Sequence, residues 1–201
     1  GEENIPDEGK FIFASNHPLG GLDGICLSSV IGSHFEGNIK YPVNDLLLNI
    51  VNLKSIFVPV NKHGSQDKGK ANLLNDAFAS DNQIITFPAG LCSRKYGKTI
   101  KDPDWKKMFV SKAIEYNRSI VPVYFHGYNS NFFYRFANMR KRLGIKFNIE
   151  MLFLPDEMFK NKNQEFTVIF GEPISWEQLD KSKSIASWVQ FLRNKTYALA
   201  P

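Results

Sequence analysis

The chain has 201 residues, of which 43% are hydrophobic and 13% aromatic, which is enough for one domain with a sizeable core. Its two cysteines, Cys26 and Cys92, are too few for a disulfide framework, so a reducing compartment is expected. No apolar run approaches the length that spans a bilayer, and the start shows no signal-peptide pattern. We therefore expect a soluble or peripheral protein.

The net charge of +5 is concentrated in the middle of the chain. Residues 94 to 146 carry 13 Lys and Arg against 3 Asp and Glu, whereas residues 1 to 93 carry 6 against 10 and residues 147 to 201 carry 6 against 7. Such a basic block favours an anionic partner, which includes phosphate groups, an anionic membrane surface, an acidic carrier protein and nucleic acid. A solvated face of the protein is the alternative.

Strand-like and helix-like runs alternate along the chain with short connections. The predicted strands are 11–15, 38–43, 55–60, 83–87, 119–125, 147–154 and 166–171. The predicted helices are 22–33, 44–53, 67–80, 104–117, 130–142 and 182–198. This alternation predicts a single α/β domain over residues 1–201, with a largely parallel mixed sheet of about seven strands and helices on both faces. Antiparallel strands are expected near the end, and a functional site beyond the carboxyl ends of the parallel strands.

The loop after the first strand runs from Asn16 to Gly24 with the sequence NHPLGGLDG. Gly20 and Gly21 allow a tight turn, so that His17 can meet Asp23 at the start of the next helix. A carboxylate at a helix start is favoured by free N–H groups and the helix dipole, so Asp23 is expected to stay ionised. It would fix the tautomer of His17, whose other nitrogen could then act as a base towards a substrate hydroxyl or amine. The alternative is an N-capping aspartate beside a structural histidine.

A second loop, residues 61 to 70, has the spacing of a phosphate-binding loop between a strand and a helix. Ala71 stands where Ser or Thr would hold magnesium, which disfavours nucleotide binding. Lys62, His63, Lys68 and Lys70 would still add positive charge to a shared site.

A third loop, with the sequence FPAGLCSRK, follows the predicted strand 83–87. Proline and glycine end the strand where the backbone can approach a ligand. Arg94 suits phosphate because its planar guanidinium donates two parallel hydrogen bonds, and a lysine adds a point charge. The candidate ligand contacts are Pro88, Gly90, Ser93, Arg94 and Lys95. A surface turn with basic residues is the alternative.

Cys92 in the same loop supports a different chemistry. A thiol beside Arg94 and Lys95 could have a low pKa and attack a thioester with His17 as its base. The alternative is a cysteine without a chemical role.

Residues 131 to 144 predict an amphipathic helix. The apolar stripe is Phe132, Phe136, Met139 and Leu143, with Phe133 and Ala137 alongside, and the surrounding cations are Arg135, Arg140, Lys141 and Arg142. This pattern suits an anionic membrane interface, or a helix packed on the sheet with a basic outer face. Nucleic-acid binding is disfavoured, because the aromatic residues follow a helical stripe and match no nucleic-acid-reading motif.

Taken in order, NHPLGGLDG, FPAGLCSRK and the Val-Pro-Val of residues 121–123 resemble the glycerolipid acyltransferase family, of the lysophosphatidate acyltransferase type. In that family an Asn-His-x4-Asp motif supplies a His/Asp base pair, and a Phe-Pro-Glu-Gly-Thr-Arg-Ser motif binds the phosphate of the acceptor. The resemblance spans residues 11 to 125 and implies that His17 is the base and Asp23 its orienter. It also implies that Phe87, Pro88, Gly90 and Arg94 form the loop that binds the phosphate of the acceptor. Lys62 is the nearest match to a further basic contact.

Two departures from the family pattern point to one branch of the family. Five residues, rather than four, separate His17 from Asp23, and Ala89 replaces the glutamate of the second motif. Both features resemble the branch of hemolysin-like proteins and ornithine and glycine lipid O-acyltransferases. The implied acceptor is therefore lysophosphatidate or a lyso-aminolipid such as a lyso-glycine or lyso-ornithine lipid.

The resemblance implies transfer of a fatty acyl group from a thioester of acyl carrier protein or coenzyme A to a lysolipid hydroxyl, in membrane lipid biosynthesis. It implies no metal and no bound cofactor, and the backbone N–H groups of the Gly20–Gly21 turn are candidate oxyanion donors. We expect the protein on the cytoplasmic side of a membrane, either peripheral or anchored by an N-terminal segment outside these residues. The alternatives are a catalytically silent module that binds membranes or carrier protein, and a Cys92-dependent thioester hydrolase.

Overall fold

A computed structural model describes residues 1–43, 48, 51–60 and 68–201 of the chain. Its strands are β1 (Phe11–Ser15), β2 (Ile39–Val43), β3 (Phe57–Pro59), β4 (Gln83–Thr86), β5 (Arg94–Tyr96), β6 (Thr99–Lys101), β7 (Ser119–His126) and β8 (Thr167–Phe170). Its α-helices are α1 (Leu22–His34), α2 (Lys68–Ala79), α3 (Met108–Glu115), α4 (Asn131–Arg142), α5 (Leu154–Lys160) and α6 (Ile185–Ala198). Short 3-10 helices lie at Glu2–Asn4, Val51–Leu53, Ile149–Phe153 and Trp176–Gln178.

Within these residues a six-stranded sheet has the order β3-β2-β4-β1-β7-β8. Strand β1 lies between β4 and β7 and pairs with both in parallel, so that Phe13 is opposite Ile85 on one side and Val121 on the other. Strand β8 is antiparallel to β7, as expected near the end of the chain. The predicted α/β fold with a largely parallel mixed sheet is therefore confirmed.

Both faces of the sheet are covered, which explains the continuous apolar runs of its central strands. Alternate residues of β1, β4 and β7 enter two different core clusters: Ile12, Ile84 and Ile120 lie in one, and Phe13, Ile85 and Val121 in the other. Phe109 of α3 and Trp188 of α6 join the first cluster. Leu27 and Ile31 of α1 join the second, so helices pack on opposite faces.

The predicted strand 147–154 is wrong. Residues Ile149–Phe153 form a 3-10 helix that runs directly into α5, where Pro155 stands in the first turn. A short apolar run has no periodicity that separates a strand from a helix, and here the buried carboxylate of Glu150 points into the protein to meet two arginines. The chain instead adds a separate hairpin of β5 and β6, which the sequence analysis did not predict.

The predicted helix 44–53 lies mostly outside the described residues; its described end, Val51–Leu53, is a 3-10 helix.

The parallel arrangement of β1, β4 and β7 brings the loops that follow them to one edge of the sheet. The side chain of Asn16 connects two of these ends: its Nδ2 donates to the carbonyl of Phe125 at 2.9 Å, and its Oδ1 accepts from the N–H of Phe125 at 2.7 Å. On the next loop, Nδ2 of Asn129 donates to the carbonyl of Pro18 at 3.1 Å. The loop after β1 is thereby fixed to the end of β7.

A buried polar side chain lies at the other end of β7, where Arg118 is completely buried. Its guanidinium donates to the carbonyls of Phe78 at 2.7 Å and Asn82 at 2.9 Å, and to that of Ser80. Burial lowers its pKa to about 10, against the effect of the nearby Asp81 carboxylate. We expect Arg118→Met to leave these carbonyls unpaired, costing about 2–4 kcal/mol of unfolding free energy and lowering Tm by roughly 5–15 °C.

Thermal or urea unfolding measures this effect. Arg142→Met, at an exposed position of the same residue type, is the matched control and should leave Tm nearly unchanged. Equal Tm values for the wild type and Arg118→Met would show that the buried guanidinium does not hold these carbonyls.

Candidate active site

The loop after β1 turns back into α1 and brings the predicted acid/base pair together. Nδ1 of His17 lies 2.9 Å from Oδ2 of Asp23, so the predicted contact is present. The turn depends on Gly20, which has a φ of +76°, where a side chain is strained. A Cβ at Gly20 would also come within 2.8 Å of Cδ1 of Leu154, so the packing leaves no space for one.

Asp23 is completely buried and is surrounded by donors. Its Oδ2 accepts from the N–H of Leu19 at 2.9 Å and faces that of Gly20 at 3.3 Å, while its Oδ1 accepts from the N–H of Gly24 at 2.9 Å. Burial raises the pKa of Asp23, but the interaction with His17 and the backbone donors outweigh burial and leave the pKa below its ordinary value. Gly21 occupies the N-cap of α1, so Asp23 organises the turn and the imidazole rather than capping the helix.

His17 is held from three sides and stays partly accessible. Its ring stacks on Phe87 with 4.1 Å between the ring centroids, and its carbonyl accepts from the N–H of Ser93 at 2.7 Å. The side chain is 11% exposed, and with Nδ1 committed to Asp23 its Nε2 is the atom that can take a proton. The structure therefore brings Phe87 and Ser93 of the third loop against the His17–Asp23 pair.

Asp102, which none of the sequence patterns predicted, joins the first and third loops. Its Oδ1 accepts from the N–H of His17 at 3.1 Å and from Oγ of Ser93 at 2.6 Å, and its Oδ2 accepts from Nε1 of Trp105 at 2.9 Å. Burial raises its pKa, although these hydrogen bonds act in the opposite direction. One signal was present in the sequence: Asp102 is among only 3 acidic residues between positions 94 and 146.

The remaining residues of the third loop form a turn after β4. The N–H of Gly90 donates to the carbonyl of Phe87 at 2.9 Å, with φ at Gly90 of +67°. The carbonyl of Pro88 accepts from the N–H of Lys106 at 2.9 Å. Further on, Nζ of Lys95 lies 3.4 Å from Oδ1 of Asn131, the first residue of α4.

Arg94, the predicted anchor of the acceptor, lies in a buried charge cluster. Its Nη2 donates to Oε1 of Glu150 at 2.9 Å, and its Nη1 donates to the carbonyl of Cys92 at 3.0 Å. Nε of Arg140 lies 2.7 Å from the other oxygen of Glu150, so two cations share one carboxylate and the cluster keeps a net charge of +1. The role of Arg94 as an acceptor anchor stays a prediction.

Cys92 does not have the low pKa that the sequence suggested. The thiol is completely buried, and burial raises its pKa to about 11 although Nη1 of Arg94 donates to its Sγ at 2.9 Å. Desolvation therefore outweighs the neighbouring guanidinium, and the thiol stays protonated at neutral pH.

Lys62 and His63 lie outside the described residues. In the part of the chain that the structure describes, no helix is both long and apolar enough to cross a bilayer. Across the same residues, no three His, Cys, Asp or Glu side chains are grouped so that they could hold a metal ion.

Comparisons with known proteins agree with this geometry. The family model described as acyltransferase matches residues 1–201. A lyso-glycine lipid O-acyltransferase of Phocaeicola vulgatus is 53% identical over 199 residues, which cover 99% of this chain and 71% of that protein. The protein of the same name from Bacteroides thetaiotaomicron is 52% identical over 199 residues, covering 99% of this chain and 73% of that protein.

A solved structure shares the fold. The 1-acyl-sn-glycerophosphate (LPA) acyltransferase PlsC from Thermotoga maritima matches with a TM-score of 0.57 at 15% identity, covering 99% of this chain and 68% of that one. The resemblance inferred from the sequence motifs is thus confirmed. Because the family model spans every residue and two relatives are more than half identical over nearly the whole chain, this protein belongs to the acyltransferase family.

Proposed function

We propose that this enzyme transfers a fatty acyl group from an acyl thioester to the hydroxyl of a lyso-glycine lipid, as a step of membrane lipid biosynthesis. The observation that carries the proposal is the contact of 2.9 Å between His17 and the buried carboxylate of Asp23, which leaves Nε2 of His17 as a base. The names of the two close relatives support the choice of acceptor.

The proposed reaction runs directly from donor to acceptor. Nε2 of His17 takes the hydroxyl proton while the hydroxyl oxygen forms a bond to the thioester carbonyl carbon. Asp23 accepts a hydrogen bond from Nδ1 and stabilises the imidazolium that results. When the tetrahedral intermediate collapses, the C–S bond breaks and the imidazolium returns the proton to the thiolate, which gives an ester and a free thiol. These steps use only the side chains and the two substrates, without a resident metal or cofactor.

The charge cluster around Arg94 supports an acceptor with a singly charged head group. One guanidinium of the cluster is in excess over the carboxylate of Glu150, and the Arg94 side chain is 11% exposed. A glycine head group presents one carboxylate, whose single negative charge matches this excess positive charge. We propose that Arg94 contacts this carboxylate, with Lys62 and Lys95 adding positive charge.

We also propose an acyl donor and a cellular location for this reaction. Acyl carrier protein and coenzyme A are both anionic, and the basic block of residues 94 to 146 supports either of them as donor. We propose that the enzyme works at the cytoplasmic side of an anionic membrane, in agreement with its two free cysteines.

An acceptor panel tests the proposal. Release of free thiol from acyl carrier protein or coenzyme A thioesters is followed with lyso-glycine lipid, lyso-ornithine lipid, 1-acylglycerol-3-phosphate or no acceptor. We expect the fastest release with lyso-glycine lipid and an ester product detected by mass spectrometry. Faster release with another lysolipid would overturn the acceptor assignment. Release without any acceptor would identify a hydrolase, and no release with any acceptor would identify a silent binding module.

A further inference from the structure

Helix α4 keeps an apolar face exposed although its other face joins the core. Phe133 and Ala137 are buried, whereas Phe132 and Met139 are each 51% exposed and Leu143 is 66% exposed. The two residues alongside the predicted stripe therefore pack inward, whereas three of the four stripe residues face outward along the helix. Exposed apolar side chains in such a row indicate an interaction surface when they form part of a larger patch.

The segment after α4 enlarges this patch. The ring of Phe153 lies 5.2 Å, between centroids, from each of the rings of Phe132 and Phe136. Arg140 holds the same segment to α4, because it donates to the carbonyl of Ile145 and pairs with Glu150. The most exposed apolar side chains here are Phe147 at 70%, Leu152 at 71% and Phe159 at 70%. We call the exposed apolar side chains of residues 132–159 the α4–α5 surface.

The charged residues along the first half of the α4–α5 surface are all positive. Residues 131 to 148 contain five Lys and Arg and no Asp or Glu. Arg140 is used in the buried pair with Glu150, and the other four, Arg135, Lys141, Arg142 and Lys146, are exposed. Exposed aromatic and aliphatic side chains, beside cations that form no ion pair within the described ranges, fit a layer of anionic head groups above acyl chains. A purely anionic partner such as nucleic acid would leave the apolar side chains in water.

The α4–α5 surface also borders the catalytic turn. Leu154, which follows Phe153, lies so close to Gly20 that a Cβ there would be 2.8 Å from its Cδ1. We propose that the α4–α5 surface docks on an anionic lipid bilayer, so that a lysolipid reaches His17 from the bilayer beside Leu154. The route to His17 rests on the proposed function, whereas docking on the bilayer does not.

Co-sedimentation with vesicles tests the docking, without acyl donor or lysolipid, so that a failure of the proposed reaction leaves the readout unaffected. The vesicles contain phosphatidylcholine alone or with phosphatidylglycerol. One variant removes apolar contact, Phe147→Ser with Phe159→Ser, and another reverses charge, Arg142→Glu with Lys146→Glu. The matched controls lie elsewhere on the described surface: Val51→Ser with Leu73→Ser, and Lys54→Glu with Lys181→Glu.

We expect the wild type to bind the phosphatidylglycerol vesicles and high salt to weaken that binding. Each α4–α5 variant should bind at least about tenfold more weakly, since each cation near an anionic surface contributes about a factor of five, while the controls stay within about twofold. Thermal unfolding of every variant verifies its fold. The proposal would be overturned if the wild-type protein did not sediment with the vesicles. It would also be overturned if the controls lost as much binding as the α4–α5 variants. Binding of acyl carrier protein at this surface in place of vesicles would overturn it as well.

Discussion

His17→Ala is expected to lower the rate of acyl transfer by about 10²- to 10⁴-fold, the usual contribution of a general base. The imidazole is the proposed base, and the structure holds it at the carboxyl end of β1, with Nδ1 2.9 Å from Oδ2 of Asp23 and the ring stacked on Phe87. Without it the acceptor hydroxyl must lose its proton to water as it attacks. Steady-state release of thiol in the presence of acceptor measures kcat and KM, and the loss should appear mainly in kcat.

His17→Gln distinguishes a chemical role of the imidazole from a structural one. Glutamine keeps a donor that can reach Asp23 and cannot serve as a base at neutral pH, so it should lose about as much activity as alanine. His34→Ala is the matched control, because His34 lies at the end of α1, where its Nε2 is 3.4 Å from Oδ1 of Asp7. Activity within a few fold of wild type for both His17 variants would exclude His17 as the base.

Asp23→Asn is expected to produce a loss of similar size, up to about 10⁴-fold, as when the carboxylate that orients a catalytic histidine becomes an amide. The two oxygens of Asp23 accept from Nδ1 of His17 and from the N–H groups of Leu19 and Gly24. Asparagine has one oxygen and one NH2 where the aspartate has two oxygens. In either orientation of the amide, its NH2 therefore faces a donor and cannot accept from it. The imidazole then loses its fixed tautomer, or the turn loses a hydrogen bond.

The pH dependence of stability gives this variant a second readout. The pKa of Asp23 lies below its ordinary value of 3.8 in the folded protein, so its ionised form stabilises the fold above that pH. This stabilisation is lost as the pH falls through the lower, folded-state pKa. The difference in Tm between wild type and Asp23→Asn should therefore shrink as the solution is acidified below about pH 3.8.

Asp104→Asn, at an exposed carboxylate, is the control for both readouts and should leave activity and Tm close to wild type. Wild-type turnover in Asp23→Asn would show that the carboxylate does not orient the base. A difference in Tm that persists unchanged into acid would mean that ionisation of Asp23 does not stabilise the fold.

The sequence predicted the parts of the site that depend on local order along the chain. His17 lies just beyond the end of β1 and Phe87 directly follows β4, so the predicted parallel sheet places both residues at the same edge. The side-by-side position of β1 and β4, which brings the two rings together, was not predicted. The turn between His17 and Asp23 could be predicted because glycine readily adopts the left-handed conformation found at Gly20.

Contacts between residues distant in sequence were not predictable in this way. Asp102 binds the N–H of His17 from 85 positions away, and Glu150 pairs with Arg94 from 56 positions away. Both are buried carboxylates whose partners depend on tertiary packing. The periodicity of the sequence carries no information about such long-range contacts. The apolar residues around Glu150 predict a strand, but a run this short fits a strand and a buried helix equally well.

The most direct test of acyl transfer to a lysolipid hydroxyl combines the mass of the intact protein with release of thiol. Wild-type protein is mixed with an acyl thioester, first without and then with lyso-glycine lipid. Direct attack by the acceptor predicts an unchanged protein mass and an intact thioester at first, followed by thiol and acylated lipid in equal amounts after the acceptor is added. An acylated form of the protein, or thiol released before any acceptor is present, would contradict it.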